Sequence, residues 1–290
     1  MSEVFVSTVL VPVGLIAVMF SLGLSLAVQD FKRLASAPKP VLAGLFGQLI
    51  LLPLLAFTVV TLLQLPPMLA VSMMIVAACP GGVTSNAVVF IMRGDVALSD
   101  TSTALSSLVT VFSTPFIIGL ALVHFYSHGT APQIAPLQIM KALFIMTVLP
   151  VTAGMVLRHF KEEAADKLIT YLKPASMIVL FSVIIFSLVV GYEKTIHNLA
   201  IIAPASLILN VIAMLIGFGL ATLLKLPTDQ KITLSVEVGV QNATMAIFLT
   251  LVVLKDIELA SGANIYGVIM LINAMLFVRL LRYWQQRSAT

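Results

Sequence analysis

The sequence predicts an all-α integral membrane protein with nine transmembrane helices, on three observations. Hydrophobic residues make up 60% of the 290 residues and charged residues only 10%, whereas soluble domains carry about 25% charged residues. Apolar runs of about 20 residues, the length that crosses a bilayer, follow one another with the short connections typical of compact bundles. Two of these runs contain polar or helix-breaking residues near their middle, which places irregular backbone inside the predicted membrane region.

Nine apolar runs are long enough to cross the hydrocarbon core. The first run has no Lys or Arg before it and is too long for a signal peptide, so we expect a retained span. The single Cys79 excludes an internal disulfide or a multi-thiolate metal site and is expected to be a small buried packing residue. The predicted spans are approximately 5–28, 40–63, 68–92, 97–125, 137–158, 174–192, 197–224, 230–254 and 262–284.

The distribution of Lys and Arg predicts the orientation. If the N-terminus lies outside, thirteen of the 16 basic residues face the cytoplasm, and only Lys141, Lys194 and Lys255 lie outside. We therefore expect a multi-pass plasma membrane protein with a cytoplasmic C-terminus and with Tyr283 and Trp284 in an interfacial belt. The net charge of +4 is then a topology signal, so we expect the lipid bilayer as a partner, without nucleic acid or an obligate protein partner.

A short segment recurs in the two halves of the chain. Residues 62–66 read Leu-Leu-Gln-Leu-Pro, and residues 223–227 read Leu-Leu-Lys-Leu-Pro. Each copy closes a span and precedes an interrupted one, but the second span ends outside and the seventh ends inside. This opposite orientation predicts an inverted repeat, in which two discontinuous helices meet near the middle of the membrane.

The first interruption lies in the third span, where residues 79–86 read Cys-Pro-Gly-Gly-Val-Thr-Ser-Asn. Proline removes a backbone donor and clashes with the preceding turn, and glycine weakens the helix further. A simple proline kink is the alternative, but a kink does not require the polar Thr84, Ser85 and Asn86. Irregular backbone at this depth is tolerated where it is buried in protein or lines a cavity, so we expect a broken helix at a functional site.

The second interruption, Glu-Val-Gly-Val-Gln-Asn at residues 237–242, places a carboxylate within the eighth span. A central carboxylate costs about 3 kcal/mol on insertion scales, so Glu237 is either a functional group or a packing residue hydrogen-bonded to Ser or Thr. Gly239 can unwind a turn, which frees carbonyl groups for cations and N–H groups for anions. Oxygen ligands without nearby thiolate or imidazole suit Na⁺ rather than a soft metal.

Further oxygen atoms lie in neighbouring spans. Ser99 and Thr103 are four residues apart and share one helical face, so they are candidate ligands. We expect Asp100 and Thr101 to cap the helix at its cytoplasmic end. Gln48 is the sole polar side chain in the core of the second span and is a candidate for interhelical hydrogen bonding.

Three ordered motifs resemble the bile acid:sodium symporter family over essentially the whole chain. They are Cys-Pro-Gly-Gly with Ser-Asn at 79–86, Arg-Gly-Asp-Val-Ala-Leu-Ser at 93–99, and the segment 237–242. The resemblance implies a panel and a core domain with two crossed discontinuous helices, here with nine helices because one N-terminal helix is absent. The panel would take approximately 1–64 and 137–192 and the core approximately 40–136 and 193–290, with an uncertain boundary near the second helix.

The resemblance also implies two Na⁺ sites that share Glu237. The expected sodium ligands are Ser85, Asn86, Ser99, Thr103 and Glu237 for one ion, and Gln48, Glu237, Gln241 and the carbonyls of Val238 and Val240 for the other.

The resemblance implies a substrate position at Val83, Thr84 and Asn242. Bacterial bile-salt binders of the family carry Trp-His-Asn where residues 268–270 read Val-Ile-Met. Asn273 or Tyr266 would replace those contacts, unless both are packing and belt residues.

The resulting expectation is a sodium-coupled symporter of an organic anion that works by alternating access. The anion would be bile-salt-like or a small organic or keto acid, two kinds of substrate that the resemblance suggests. The alternative is a non-sodium carrier or a channel for an organic anion in the same superfamily. An intramembrane hydrolase is disfavoured, because the 4 His residues lie at span ends or in loops and no paired carboxylates are expected.

Overall fold

The computed structural model describes residues 3–26, 38–126 and 135–287, and helices dominate these ranges. Eight helices are long and apolar enough to cross a membrane, or nine spans if the bent pair Pro67–Ala78 and Val83–Ile91 counts as one. The predicted all-α membrane fold is therefore confirmed. The side chains of Tyr283 and Trp284, predicted to form an interfacial belt, lie outside the described residues.

Eleven helices are numbered here in chain order. They are α1 (Val6–Ser25), α2 (Pro38–Leu62), α3 (Pro67–Ala78), α4 (Val83–Ile91), α5 (Val96–Phe125), α6 (Pro136–Phe160), α7 (Glu162–Val190), α8 (Tyr192–Leu223), α9 (Thr228–Gly239), α10 (Ala243–Phe248) and α11 (Ala260–Arg287). The helix α10 continues through one wide turn to Val253.

The sixth span differs from its prediction. It was expected to begin near residue 174, but α7 begins at Glu162 and carries Pro174 in its interior. Its first turns contain Glu162, Glu163 and other charged residues, so hydropathy alone did not mark them as helix. Acidic side chains in a first turn complement the partial positive charge of a helix N-terminus, which accounts for the earlier start.

Three helices contain a wide π-type turn that ends two residues before a proline. These turns are Val6–Leu10, Gly47–Leu51 and Phe144–Val148, and Pro12, Pro53 and Pro150 follow them at the second position. Proline lacks an N–H and its ring crowds the preceding turn, so the helix widens there. The second of these turns contains Gln48, which is buried.

The recurring Leu-Leu-x-Leu-Pro segment has the same backbone geometry in both copies. Gln64 and Lys225 take positive φ values of 50° and 55°. Each of these residues ends its helix, and its backbone N–H donates to the carbonyl oxygen three residues earlier. Gln64 donates to Thr61, and Lys225 donates to Thr222. Arg93 and Lys255 also have positive φ, so left-handed corners stand before and after each broken span, as expected for a structural repeat.

The two broken spans meet at their breaks. Helices α3 and α4 are bent by 64°, and α9 and α10 are separated by the non-helical residues 240–242. The N–H of Asn242 donates to the carbonyl oxygen of Pro80 at 2.9 Å. The predicted crossing of two discontinuous helices is therefore present.

The second broken span lies at the centre of the protein. Within this span, Thr228–Val253, 89% of the residues in the most apolar stretch are buried inside the protein, against 25% in the corresponding stretch of α7. Gly217 of α8 allows close packing on the backbone of Leu234 in α9. The irregular backbone at residues 240–242 is thus enclosed by protein, which is the condition for its presence at membrane depth.

Candidate ion and substrate site

Glu237 lies in the last turn of α9 and is 1% exposed. Its two carboxylate oxygens each face a hydroxyl group of α5. Ser99 Oγ lies 2.6 Å from Oε1, and Thr103 Oγ1 lies 3.0 Å from Oε2. The shared helical face predicted for Ser99 and Thr103 therefore points at the carboxylate.

Asn86 of α4 faces the same hydroxyl groups from the other side. Its Oδ1 lies 2.8 Å from Ser99 Oγ and 3.0 Å from Thr103 Oγ1. Ser85 Oγ is 3.5 Å from that oxygen and 2.8 Å from the carbonyl oxygen of Gly82. Five side chains from three helices thus form one buried oxygen cluster, Ser85, Asn86, Ser99, Thr103 and Glu237.

The oxygen cluster has more close oxygen pairs than protons to bridge them. Ser85, Ser99 and Thr103 contribute one hydroxyl proton each, but they make six oxygen–oxygen approaches of 3.5 Å or less to four acceptor atoms. A hydroxyl donates only one proton, so with Glu237 ionised three of these six approaches lack a bridging hydrogen. A hard cation among these oxygens would use the surplus lone pairs, so the donor set fits Na⁺.

Gly81 keeps space open beside the cluster. A Cβ atom at this position would lie 2.9 Å from Glu237 Oε2 and 3.2 Å from the hydroxyl oxygens of Ser85 and Thr103. These distances are closer than ordinary contacts, so a larger residue would fill the space between the oxygens. The glycine of the first break therefore contributes room as well as a break in the helix.

Asp100 and Thr101 do not cap the helix, and that prediction was wrong. Helix α5 begins one turn earlier, and its cap is Asp95, whose Oδ1 accepts from the N–H of Leu98 at 3.0 Å. Asp100 is instead 8% exposed, and its Oδ1 accepts from Asn86 Nδ2 at 2.6 Å. The site therefore holds a second buried carboxylate that was not expected there.

A second set of polar groups lies at the break between α9 and α10. Gln48 Nε2 lies 3.4 Å from Gln241 Oε1, and Gln241 Nε2 donates to the carbonyl oxygen of Val238 at 2.9 Å. Gln48 is 2% exposed, and Val240 lies in the break itself. Hydrogen bonds thus join Gln48, Gln241 and the carbonyl group of Val238, and the role of the residues expected around a second ion stays a prediction.

The carbonyl group at the end of α9 is held by two side chains that the sequence did not single out for this role. Gly239 O accepts from Tyr266 Oη at 2.7 Å and from Asn210 Nδ2 at 2.8 Å. Tyr266 is 1% exposed, so it packs inside the protein and is not a belt residue. Asn273 Nδ2 donates to Asn210 Oδ1 at 2.9 Å, and its substrate contact stays a prediction.

The expected substrate positions lie where the two breaks touch. Val83 and Thr84 form the first turn of α4, and Asn242 caps α10 by accepting from the N–H of Met245 at 3.0 Å. Within the described residues, Asn242 Nδ2 is buried and has no hydrogen-bond partner. A buried amide donor without an acceptor is costly, so this group is available for a ligand.

A cavity of about 360 Å³ lies between α1, α4, α5 and α7 and reaches Asn86 and Val83. Its wall is largely apolar, including Phe90 and Met177. Ser21 of α1 also lines this cavity and is 1% exposed. Among the residues that the structure describes, its Oγ has no hydrogen-bond partner. Apolar walls with a few polar groups are typical of sites for small organic ligands.

The sequence is similar to a known family and to several curated proteins. The model of the sodium bile acid symporter family matches residues 12–199, which include the first break but not the second. The chain is 30% identical to the uncharacterized sodium-dependent transporter YocS of Bacillus subtilis over 226 residues, which are 78% of this chain and 68% of that protein. It is 30% identical to the probable chloroplastic sodium/metabolite cotransporter BASS1 of Arabidopsis thaliana, over 82% of this chain and 58% of the relative.

A human relative is more distant. The chain is 28% identical to the human sodium/bile acid cotransporter 4, over 82% of this chain and 54% of that protein. The matched region therefore spans only about half to two thirds of these curated relatives.

Proposed function

Because the chain belongs to the sodium bile acid symporter family, we propose that it is a symporter that couples Na⁺ entry to the uptake of an organic anion. The matched family and relatives are sodium-dependent transporters and not enzymes. The observation that carries the proposal is the oxygen cluster around Glu237, in which three hydroxyl protons serve six close oxygen pairs. A cation among these atoms would remove that shortage.

Two Na⁺ ions bind in this proposal, and they share Glu237. One ion uses the oxygen cluster. The other uses the amide oxygens of Gln48 and Gln241 and the carbonyl groups of Val238 and Val240. Support comes from the hydrogen bonds that join Gln48 to Gln241 and Gln241 to the carbonyl group of Val238 at the second break, and from the high cost of a buried carboxylate without a counter-ion.

The anion binds at the crossing of the two breaks. Backbone N–H groups at Val83 and Thr84 and the free Nδ2 of Asn242 would hold its carboxylate, since the N-terminus of a helix favours negative charge. The adjoining apolar cavity would hold a hydrocarbon body. The names of the relatives, a sodium/metabolite and a sodium/bile acid cotransporter, support an organic acid, either bile-salt-like or smaller.

Transport follows alternating access between two bodies. Helices α1 and α7 fall in the panel domain (approximately 1–64 and 137–192), and α4 and α5 fall in the core domain (approximately 40–136 and 193–290). The cavity lies between these two sets of helices, as expected for a passage that opens when one body rocks against the other. Sodium drives uptake only if it binds the substrate-competent state more tightly than the other state.

The membrane location completes the proposal. We place the chain in the plasma membrane with its N-terminus outside, from the distribution of basic residues. Cys79 is buried, so a cysteine introduced at Glu193 or at Arg93 can be labelled selectively in intact cells. Labelling of Glu193→Cys but not of Arg93→Cys by a membrane-impermeant reagent is expected, and the reverse result would invert the topology.

Uptake into proteoliposomes tests the function. Purified protein should accumulate a labelled organic acid against its gradient when Na⁺ is outside, and replacement of Na⁺ by K⁺ should abolish accumulation. Bile salts, pantoate, pyruvate and other keto acids are the first substrates to test. Accumulation that is equal in Na⁺ and K⁺ would favour a non-sodium carrier. Uptake that stops when the internal and external concentrations of the acid are equal would favour a channel.

A further inference from the structure

We propose that Asp100 is a positioning residue of the sodium site, acting through Asn86. It lies on α5 next to Ser99, is 8% exposed, and accepts a hydrogen bond of 2.6 Å from Asn86 Nδ2. This inference rests on the proposed function, because it concerns the affinity of the same site for Na⁺. It adds a residue outside the set of ligands that the family resemblance implies.

An asparagine ligand must present the correct end of its amide. Rotation by half a turn exchanges the oxygen with the NH₂ group, which has two donors and would repel a cation. The ionised carboxylate of Asp100 can only accept, so it holds the Nδ2 end of the Asn86 amide toward itself. Asn86 Oδ1 then faces Ser99 and Thr103 at 2.8 and 3.0 Å, where the cation is expected.

The contact also increases the negative character of that oxygen. A hydrogen bond to a charged group is short and roughly twice as strong as a neutral one, and successive hydrogen bonds polarise one another in a buried site. A continuous series of contacts joins Glu237 to Ser99, Ser99 to Asn86 and Asn86 to Asp100. The amide thus lies between two buried carboxylates, both of which favour a cation beside it.

A purely structural role makes a different prediction. If Asp100 only attached α4 to α5, its loss would lower thermal stability equally in Na⁺ and in K⁺. A positioning role changes the Na⁺ concentration at half-saturation as well. Both quantities follow from melting curves of the purified full-length chain in detergent, with Na⁺ replaced by K⁺ at constant ionic strength.

Three variants test the hydrogen bond and its direction. Asp100→Ala should raise the half-saturating Na⁺ concentration about tenfold or more, as expected for the loss of a buried charge-assisted hydrogen bond. Asn86→Asp should abolish the response, because two carboxylates would then face each other. In the swapped pair N86D/D100N, the introduced carboxylate accepts from the introduced amide and again presents an oxygen to the cation, so a Na⁺ response should return.

Asp95→Asn is the matched control. Asp95 caps the same helix, with Oδ1 accepting from Leu98 and Oδ2 accepting from Gln230 Nε2 at 3.2 Å. Asparagine caps a helix about as well as aspartate, and its NH₂ group can donate to Gln230 after the Gln230 amide rotates. The half-saturation should therefore stay within about twofold of the wild type. An unchanged half-saturation in Asp100→Ala would overturn the proposal, and so would a swapped pair that responds no better than Asn86→Asp. A wild-type chain without any Na⁺ response would instead overturn the proposed symport together with this inference.

Discussion

The N–H of Asn242 and the carbonyl oxygen of Pro80 are joined by a hydrogen bond of 2.9 Å. One atom belongs to the second break and the other to the first, so each break satisfies a backbone group of the other. Open helix ends need such partners, and these two breaks are far apart in the sequence. A shift in either broken span must therefore move or break this contact, which couples the two spans at the candidate site.

Glu237→Gln should abolish the stabilisation by Na⁺. The amide keeps the size of the side chain but removes the charge that two cations would share. Stability in K⁺ should be at least that of the wild type, since a buried carboxylate without a counter-ion is unfavourable. Melting temperatures in Na⁺ and K⁺ measure both effects, and a full Na⁺ response in the variant would reject Glu237 as a ligand.

Gly81→Ala should weaken Na⁺ binding by about tenfold or more, because the added methyl group would occupy the space that Gly81 leaves beside the oxygen cluster. The new Cβ would lie 2.9 Å from Glu237 Oε2. Gly119→Ala is the control, since a Cβ there meets no atom within 4 Å and alanine favours the helix. Equal Na⁺ half-saturation in the two variants would contradict the assigned role of Gly81.

Gln48→Ala should remove one of two cooperative ions. The slope of the Na⁺ titration should fall from a Hill coefficient of about 2 toward about 1, since cooperativity cannot exceed the number of sites. Thr58→Ala, on the same helix, removes a hydroxyl that donates to the carbonyl oxygen of Leu54 in its own helix and should keep the wild-type slope. A steep slope that persists in Gln48→Ala would argue against a second ion at this position.

Ser21→Met should impair substrate binding without changing Na⁺ binding. The longer side chain would fill part of the cavity of about 360 Å³ and remove its unpartnered hydroxyl. Transport of a larger anion should decrease more than transport of pyruvate, which separates steric exclusion from loss of folding. Thr170→Met serves as the control because Thr170 is exposed and its hydroxyl donates to the carbonyl oxygen of Asp166 within its own helix at 2.9 Å.

Tyr266→Phe should destabilise the chain by about 1 kcal/mol, the net contribution of a typical buried hydrogen bond. It removes the donor that reaches the carbonyl oxygen of Gly239 at 2.7 Å. Tyr192→Phe changes a tyrosine that is 61% exposed and should have little effect. Denaturation in Na⁺-free buffer measures the difference, and equal stability of the two variants would show that Asn210 alone holds this carbonyl.

The broken helices could be predicted because each carries its signal locally. Proline and two glycines mark the first break, and Glu237 with Gly239 marks the second, so neither needed knowledge of packing. The spacing of Ser99 and Thr103 was also informative, because one helical face can be derived from the sequence alone. The structure brings both residues to Glu237.

Asp100 and Asn210 were harder to interpret. Asp100 stands in a polar run near a helix start, where capping explains an acidic residue, and only the cap at Asp95 excludes that explanation. Asn210 is one of two asparagines in a largely apolar helix, and its contact with Gly239 joins distant parts of the chain. The start of α7 was missed because its first residues are charged, although the helix is continuous.

The four left-handed corners at Gln64, Arg93, Lys225 and Lys255 fix the register of each broken span at both of its ends. One residue inserted in α3 would turn everything after it by about 100°, so Asn86 would face away from Glu237 although every residue of the site were still present. The chain therefore tolerates exchange of side chains in these two spans far better than any change in their length, and insertions or deletions should be confined to the segments outside the corners.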